Sequence, residues 1–377
     1  MDKKIVLAVA GSGKTYYLCN KINPQKRNLV IAFTNENINN IVKEVLKKFG
    51  NIPNNTIIMT FHRFVYHYCI RPYEWLISQY LGAKEIKSNG VSLIPPPESI
   101  INGKYNPLYC VDSKPEHYYT KDLKKIFCNR MSKLAFKTSF NEDKLLNLMV
   151  NRFKKFYDYL FIDEFQDFRE HDYDLLNYMI KHIDNFLLVG DYYQHSVNGQ
   201  NNSGKPFKKT KNFISYNDYL TILKKNFSVD VDTTTLIKSR RCKKNICDFI
   251  RSKIGITIEP YNNTDTGKVS IVNDQKEIIM ILKNDKIKKL LYRDSNKYSI
   301  NCINWGACKG NTYEETCVVL TDALKNLIND NFDYTKFDSQ ITLNKLYVAL
   351  SRSSGDVNII TSEKFKQAME EIENIKN

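Results

Sequence analysis

The sequence predicts an α/β fold in two domains, with parallel strands flanked by helices. Short apolar runs at residues 5–10, 28–33, 157–162 and 186–189 alternate with helix-forming stretches, the pattern of βαβ units whose strands are buried on both faces. The chain has 377 residues, enough for two domains with their own cores, and its 42% hydrophobic and 26% charged residues are those of a soluble globular protein. The first apolar run also breaks into a loop with two glycines followed by Lys14 and Thr15.

That loop, Ala8-Val9-Ala10-Gly11-Ser12-Gly13-Lys14-Thr15, reads as a phosphate cradle between a strand and a helix. Glycines let backbone N–H groups curl around an anion with no side chain in the way, and the helix start presents its positive end to the same anion. Lys14 then reaches the β- and γ-phosphates and the Thr15 hydroxyl holds Mg²⁺. Ala8 stands where the G-x-x-x-x-G-K-[ST] pattern has its first glycine.

The strand at 28–33 ends in Thr34-Asn35. In an open α/β sheet such strand ends face ligand, and the two short polar residues serve equally well as the cap of a helix over 37–49. A strand at 56–59 is followed by Thr60-Phe61-His62-Arg63-Phe64, a mixture of ring, imidazole and cation suited to stacking on bases and gripping a phosphate. Residues 65–150, with three consecutive prolines at 95–97, read as an inserted, mostly helical subdomain. The strand at 157–162 runs into Asp163-Glu164-Phe165-Gln166-Asp167, where Asp163 is placed to hold Mg²⁺ and Glu164 to activate the attacking water. Another strand end gives Gly190-Asp191-Tyr192-Tyr193-Gln194, whose glutamine can bond both water and a γ-phosphate. The loop at 198–211 carries four lysines. In the C-terminal part, Arg241 and Arg352 are candidates to neutralise charge on a transferred phosphoryl group.

The net charge of +15 points to an anionic polymer as partner. Nine scattered cysteines without a C-x-x-C pair, and six dispersed histidines, suggest neither a disulfide framework nor a zinc site. No apolar run is long enough for a signal peptide or a membrane span, so the expectation is an intracellular, cytoplasmic protein with no membrane partner.

Taken in order, these blocks, together with residues 236–241, Lys309-Gly310 and Leu346-Tyr347-Val348-Ala349-Leu350-Ser351-Arg352, resemble superfamily 1 helicases of the UvrD/Rep type. Lys309-Gly310-x-Thr312-Tyr313 and residues 349–352 also look like RecD-type and viral members. The resemblance implies two tandem RecA-like P-loop domains, 1–228 and 229–377, with ATP and Mg²⁺ bound between them and single-stranded DNA across their tops. It implies an ATPase set of Lys14, Thr15, Asp163, Glu164, Gln194, Arg241 and Arg352, a nucleotide site completed by Ala8, Ala10, Gly11, Ser12, Gly13, Arg240 and Gly310, and strand contacts at Thr34, Asn35, Phe61 and His62. Arg240 takes the place of the family's base-stacking tyrosine. The expected activity is ATP-driven translocation or unwinding, with a protein partner for processive unwinding. The alternative is a nucleic-acid-gated ATPase switch, or a subunit of a larger repair, replication or defence complex.

Overall fold

The computed structural model describes residues 3–140, 143–195, 204–209, 212–336 and 339–374. Of the lysine-rich loop at 198–211, residues 198–203, 210 and 211 lie outside the described residues. Contacts divide the chain into two compact units, one of residues 1–5, 18–188 and 217–230, the other of residues 6–17, 189–216 and 231–377.

In the first unit the strands Tyr159–Asp163, Asn28–Ala32 and Thr56–Thr60 lie side by side and parallel, with Leu29 opposite both Leu160 and Ile57. The middle strand is buried along its whole length, which is why it reads as an unbroken apolar run rather than an alternation. The crossover to Thr56–Thr60 is the helix Asn35–Phe49, which buries Ile41 and Val45. Its start is fixed by Thr34, whose hydroxyl accepts a hydrogen bond from Asn37 N–H, and its end by Gly50 at φ 75°, whose N–H bonds to Leu46 C=O. The strand Tyr159–Asp163 delivers its last residue into a turn in which Glu164 has φ 55°.

The inserted segment is helical at its two ends. A π-helix, Val65–Ile70, leads into the helix Glu74–Tyr80, and Met131–Lys137 precedes Leu145–Phe156. Between them lie short two-stranded ladders such as Gly90–Ser92 with Lys125–Phe127.

The second unit contains a five-stranded, all-parallel sheet in the order Val269–Ile271, Val357–Thr361, Glu315–Leu320, Ile287–Leu291, Cys302–Asn304. Alternate residues of its strands feed two cores. Val318, Leu320 and Ile359 pack with Ile246, Ile250, Leu346 and Trp305, under the helices Lys244–Ile254 and Gln340–Leu350. Cys317, Val319 and Ile360 pack on the other face with Ile278, Leu282, Phe365 and Met369, from the helices Gln275–Lys283 and Ser362–Asn374. Val9 and Ala10 of the glycine loop belong to the first of these cores, so the loop rests on the same apolar layer that supports Gln340–Leu350. Among the described residues no helix is long and apolar enough to cross a membrane.

Candidate nucleotide site

The glycine loop has the backbone that its sequence requires. Gly11 and Gly13 take φ of 72° and 86°, the left-handed region where a side chain is strained. At Gly11 there is also no room: a Cβ there would lie 2.6 Å from Arg241 Cβ and 2.7 Å from Ser239 Oγ. The close approach is made by a backbone bond from Arg240 N–H to Gly11 C=O at 2.8 Å. Ser12 turns its hydroxyl back onto Val9 C=O, and Tyr17 N–H bonds to Gly13 C=O, closing the first turn of the helix Lys14–Asn20. Lys14 is buried, Thr15 half-buried, and Ala8 sits at the buried end of its strand.

A chain of buried polar groups connects this loop with two other predicted site residues. Ala10 N–H donates to the Tyr347 hydroxyl at 2.7 Å, and that hydroxyl donates to Asp191 Oδ2 at 3.1 Å. Gln194 Nε2 donates to the same carboxylate oxygen at 2.7 Å, while Gln194 Oε1 accepts from Arg352 Nη2 at 3.3 Å. Asp191 and Tyr347 are 0% exposed, Arg352 2% and Gln194 3%. Burial and the neighbouring Asp191 push the Tyr347 phenol well above its ordinary value, which keeps it protonated as the donor the carboxylate needs. The Arg352 guanidinium is further fixed on Val348 C=O through Nε and on Asn311 C=O through Nη1. Arg241 reaches the carbonyl of Ser351, next to Arg352, and its own N–H and that of Cys242 bond to Ser239 Oγ.

Arg240 is exposed and runs along the loop, with Cδ and Nε 3.9 Å from where a Cβ of Gly13 would be. Its guanidinium lies 4.2 Å over the ring of Tyr261, itself exposed. A guanidinium held over an aromatic ring is also a group on which a planar base can stack. Gly310 is exposed at φ 93°, one residue before the Asn311 carbonyl that Arg352 bonds.

The carboxylate pair belongs to the first unit. Asp163 is buried, and its Oδ1 accepts a hydrogen bond from Glu164 N–H. Glu164 is half-buried, takes a left-handed backbone that non-glycine residues rarely adopt, and accepts a bond from Gln166 Nε2. The Thr15 hydroxyl and the Asp163 carboxylate are each an oxygen donor of the kind that a hard divalent cation takes.

Of the predicted strand contacts, Thr34 and Asn35 are exposed at the end of Asn28–Ala32. Thr34 does serve as the helix cap that the sequence left open. His62 is partly buried, edge-on to Phe33 at 4.9 Å and 3.8 Å from Asp172 Oδ2. Burial lowers its pKa to about 4 and raises that of Asp172 to about 6, so the approach is between a neutral imidazole and a carboxylate. Phe61 needs correction: at 1% exposed, its ring packs edge-on against Phe168 at 4.8 Å, so it supports the strand end and offers no face to a base.

Sequence reasoning passed over Tyr347 and Asp191 as site residues, and Tyr261 altogether. It also missed a cavity of about 520 Å³ at the carboxyl ends of Ile287–Leu291, Glu315–Leu320 and Val357–Thr361, lined among others by Tyr292, Arg293, Asp294, Thr321, Asp322 and Lys366. The strand-end rule that selected Thr34 would have found it once those three strands were aligned.

A glycine loop of this geometry, resting on the core of a parallel sheet, defines a P-loop nucleotide-binding protein. A family model of the viral superfamily 1 RNA helicase core domain matches residues 123–361, and an AAA domain model matches residues 2–200. The chain belongs to the superfamily 1 helicases, and its mixed α/β architecture with parallel sheets is their RecA-like P-loop fold. Similar solved structures include arterivirus nonstructural protein 10 (helicase) and its complex with DNA, each 12% identical over 97% of this chain and 62% of that one, with a TM-score of 0.44. The PRRSV helicase is 11% identical over 97% of this chain and 54% of its own, with a TM-score of 0.43. The chain thus spans about three-fifths of the arterivirus protein and about half of the PRRSV one. No curated protein matches it.

Proposed function

We propose that the chain hydrolyses ATP and couples that hydrolysis to movement along single-stranded nucleic acid, as a translocase or helicase of the UvrD/Rep kind. The observation that carries this reading is the buried connection from Ala10 through Tyr347 and Asp191 to Gln194 and Arg352. It joins the backbone that would cradle phosphates to a glutamine able to order water and to an arginine able to neutralise developing charge, groups whose value depends on being fixed before the reaction.

In this reading Lys14 and the loop amides hold the phosphates, Arg240 stacks on the base, and Glu164 accepts the proton of the attacking water. Arg241 and Arg352 stabilise the charge that builds on the phosphoryl oxygens. Thr15 and Asp163 would hold Mg²⁺, which would supply further neutralisation of phosphate charge when bound. Thr34, Asn35 and His62 in one unit, and Tyr292, Arg293, Thr321 and Lys366 in the other, are our candidates for contacts to the strand.

The UvrD/Rep resemblance favours DNA as the track, whereas the matching family model is one of RNA helicases. The test is ATP hydrolysis without nucleic acid, with single-stranded DNA and with single-stranded RNA, over a range of salt, beside Glu164→Gln. Stimulation by one polymer that weakens steeply with salt and vanishes in the variant supports a motor and names its track. Hydrolysis indifferent to both polymers overturns the motor reading while leaving the ATPase. Stimulation without strand displacement supports the gated-switch alternative.

A further inference from the structure

The strand Thr56–Thr60 carries on one face a second cavity, of about 520 Å³, formed wholly within the first unit. Ile57 and Met59, two apart on the strand, form its apolar floor. One wall is Arg63 and His67, four residues apart where the short helix Phe61–Phe64 passes into the π-helix Val65–Ile70. Arg152 and Phe156, four apart on Leu145–Phe156, also line the cavity. Tyr68 and Tyr157 close the end with ring centroids 5.7 Å apart.

No aspartate or glutamate lines the cavity, and among the described residues Arg63, His67 and Arg152 have no ion-pair partner. Arg152 is held instead over the Phe156 ring at 5.0 Å, and its Nε is buried without a hydrogen-bond partner among the described residues. Burial first, then the charges of Arg63 and Arg71, push the His67 imidazole below its ordinary value, which reports a positive local field. Two guanidinium groups without a carboxylate make an anion site, and fork-shaped donors suit phosphate in particular. The aromatic wall suits a flat ring, the volume is that of a small-ligand site, and single-turn π-helical irregularities recur at functional positions.

We propose that this cavity binds one nucleotide unit, its phosphate on Arg63 and Arg152 and its base against Tyr68 and Phe156. The unit comes either from a free mononucleotide or from a single strand. None of these residues belongs to the glycine loop or the carboxylate turn, so the inference does not depend on the ATPase reading.

The test uses the full chain with Lys14→Ala, which silences the glycine loop. Binding of dTMP is followed by titration calorimetry and that of labelled dT12 by fluorescence anisotropy at fixed salt. In this background Arg63→Gln, at an exposed position, and Arg152→Gln should each weaken one of the two ligands at least tenfold, with Arg63→Lys restoring part of the loss. Loss of dTMP binding assigns a free-nucleotide site, and loss confined to dT12 assigns a unit of a strand. Lys47→Gln, an equal loss of charge on the exposed face of Asn35–Phe49, should change either affinity less than twofold. Affinities unchanged by Arg63→Gln, or lowered as much by Lys47→Gln, would overturn the proposal.

Discussion

The glycine-loop end of the second unit and the strand ends of the first are built in opposite ways. Around the loop, Asp191, Gln194, Tyr347 and Arg352 are all buried, and each polar group is tied to another by a hydrogen bond. At the ends of Asn28–Ala32 and Thr56–Thr60, Thr34 and Asn35 stand in solvent while the apolar Phe61 is withdrawn into the core. Chemistry on a phosphate rewards fixed dipoles in a low-dielectric setting, where a displaced donor costs orders of magnitude in rate. The strand contacts we propose at Thr34 and Asn35 must form and release, so exposed, individually weak groups suit them. Substitutions should therefore be severe and non-additive around the loop, and mild and additive at the strand ends.

The largest effect is expected from Arg352→Ala, which removes the guanidinium bonded to Gln194 and should lower kcat for ATP hydrolysis by about 10³-fold or more, measured with nucleic acid at saturation. A loss below tenfold would remove Arg352 from the reaction and break the contrast at its strongest point.

Tyr347→Phe tests the connection itself. It strips buried Ala10 N–H and Asp191 of a partner, which should cost about 1–3 kcal/mol in urea unfolding and lower kcat more than it raises KM. Combined with Gln194→Ala it should cost less than the sum of the two, because both act on one carboxylate oxygen. Strict additivity would show that the bonds do not act as a unit.

Gly11→Ala places a methyl group 2.6 Å from Arg241 Cβ at φ 72°. We expect about 1–3 kcal/mol of destabilisation and loss of nucleotide-dependent protection against heat. Ordinary nucleotide binding in this variant would mean that the loop opens away from Arg241.

At the strand ends, Thr34→Ala should cost about 1 kcal/mol from the lost cap, and Thr34→Ser should restore it. If Thr34→Ser restores stability but not affinity for nucleic acid, the residue has a contact role beyond its cap.

The smallest effect concerns pH. Neutral His62, with its pKa held down at about 4, contributes stability that is present above the ordinary value of about 6.5 and lost as pH falls toward 4. Asp172, raised to about 6, works the other way, its contribution being present at low pH and lost as pH rises through 6. Between pH 6 and 4 the two largely offset. Asp172→Asn should leave the histidine effect alone, so that the urea midpoint falls more steeply on acidification than in the parent chain.

Several features of the sites could be read directly from short segments. Gly11 and Gly13 announce a left-handed backbone, and Lys14-Thr15 after them announces a phosphate ligand. Thr34 could be read both as a cap and as a strand-end contact, and the geometry shows the cap. Phe61 misled because a ring after a strand looks the same in sequence whether it points to solvent or to Phe168. Arg240 could be aligned with a stacking residue, but its partner Tyr261 is 21 residues further on and carries no motif.

The sequence by itself determined the alternation of strands and helices, the glycine loop and the acidic turn, because each is encoded by neighbours within one turn or one strand. The tertiary structure alone decided that the hydroxyl of Tyr347 would bond the amide of Ala10 across 337 positions of sequence and meet Asp191 on its other side. It also decided that the arginines of Phe61–Phe64 and Leu145–Phe156 would face one cavity without a carboxylate. Such pairings leave no local periodicity, because they arise only when distant elements pack on a shared core.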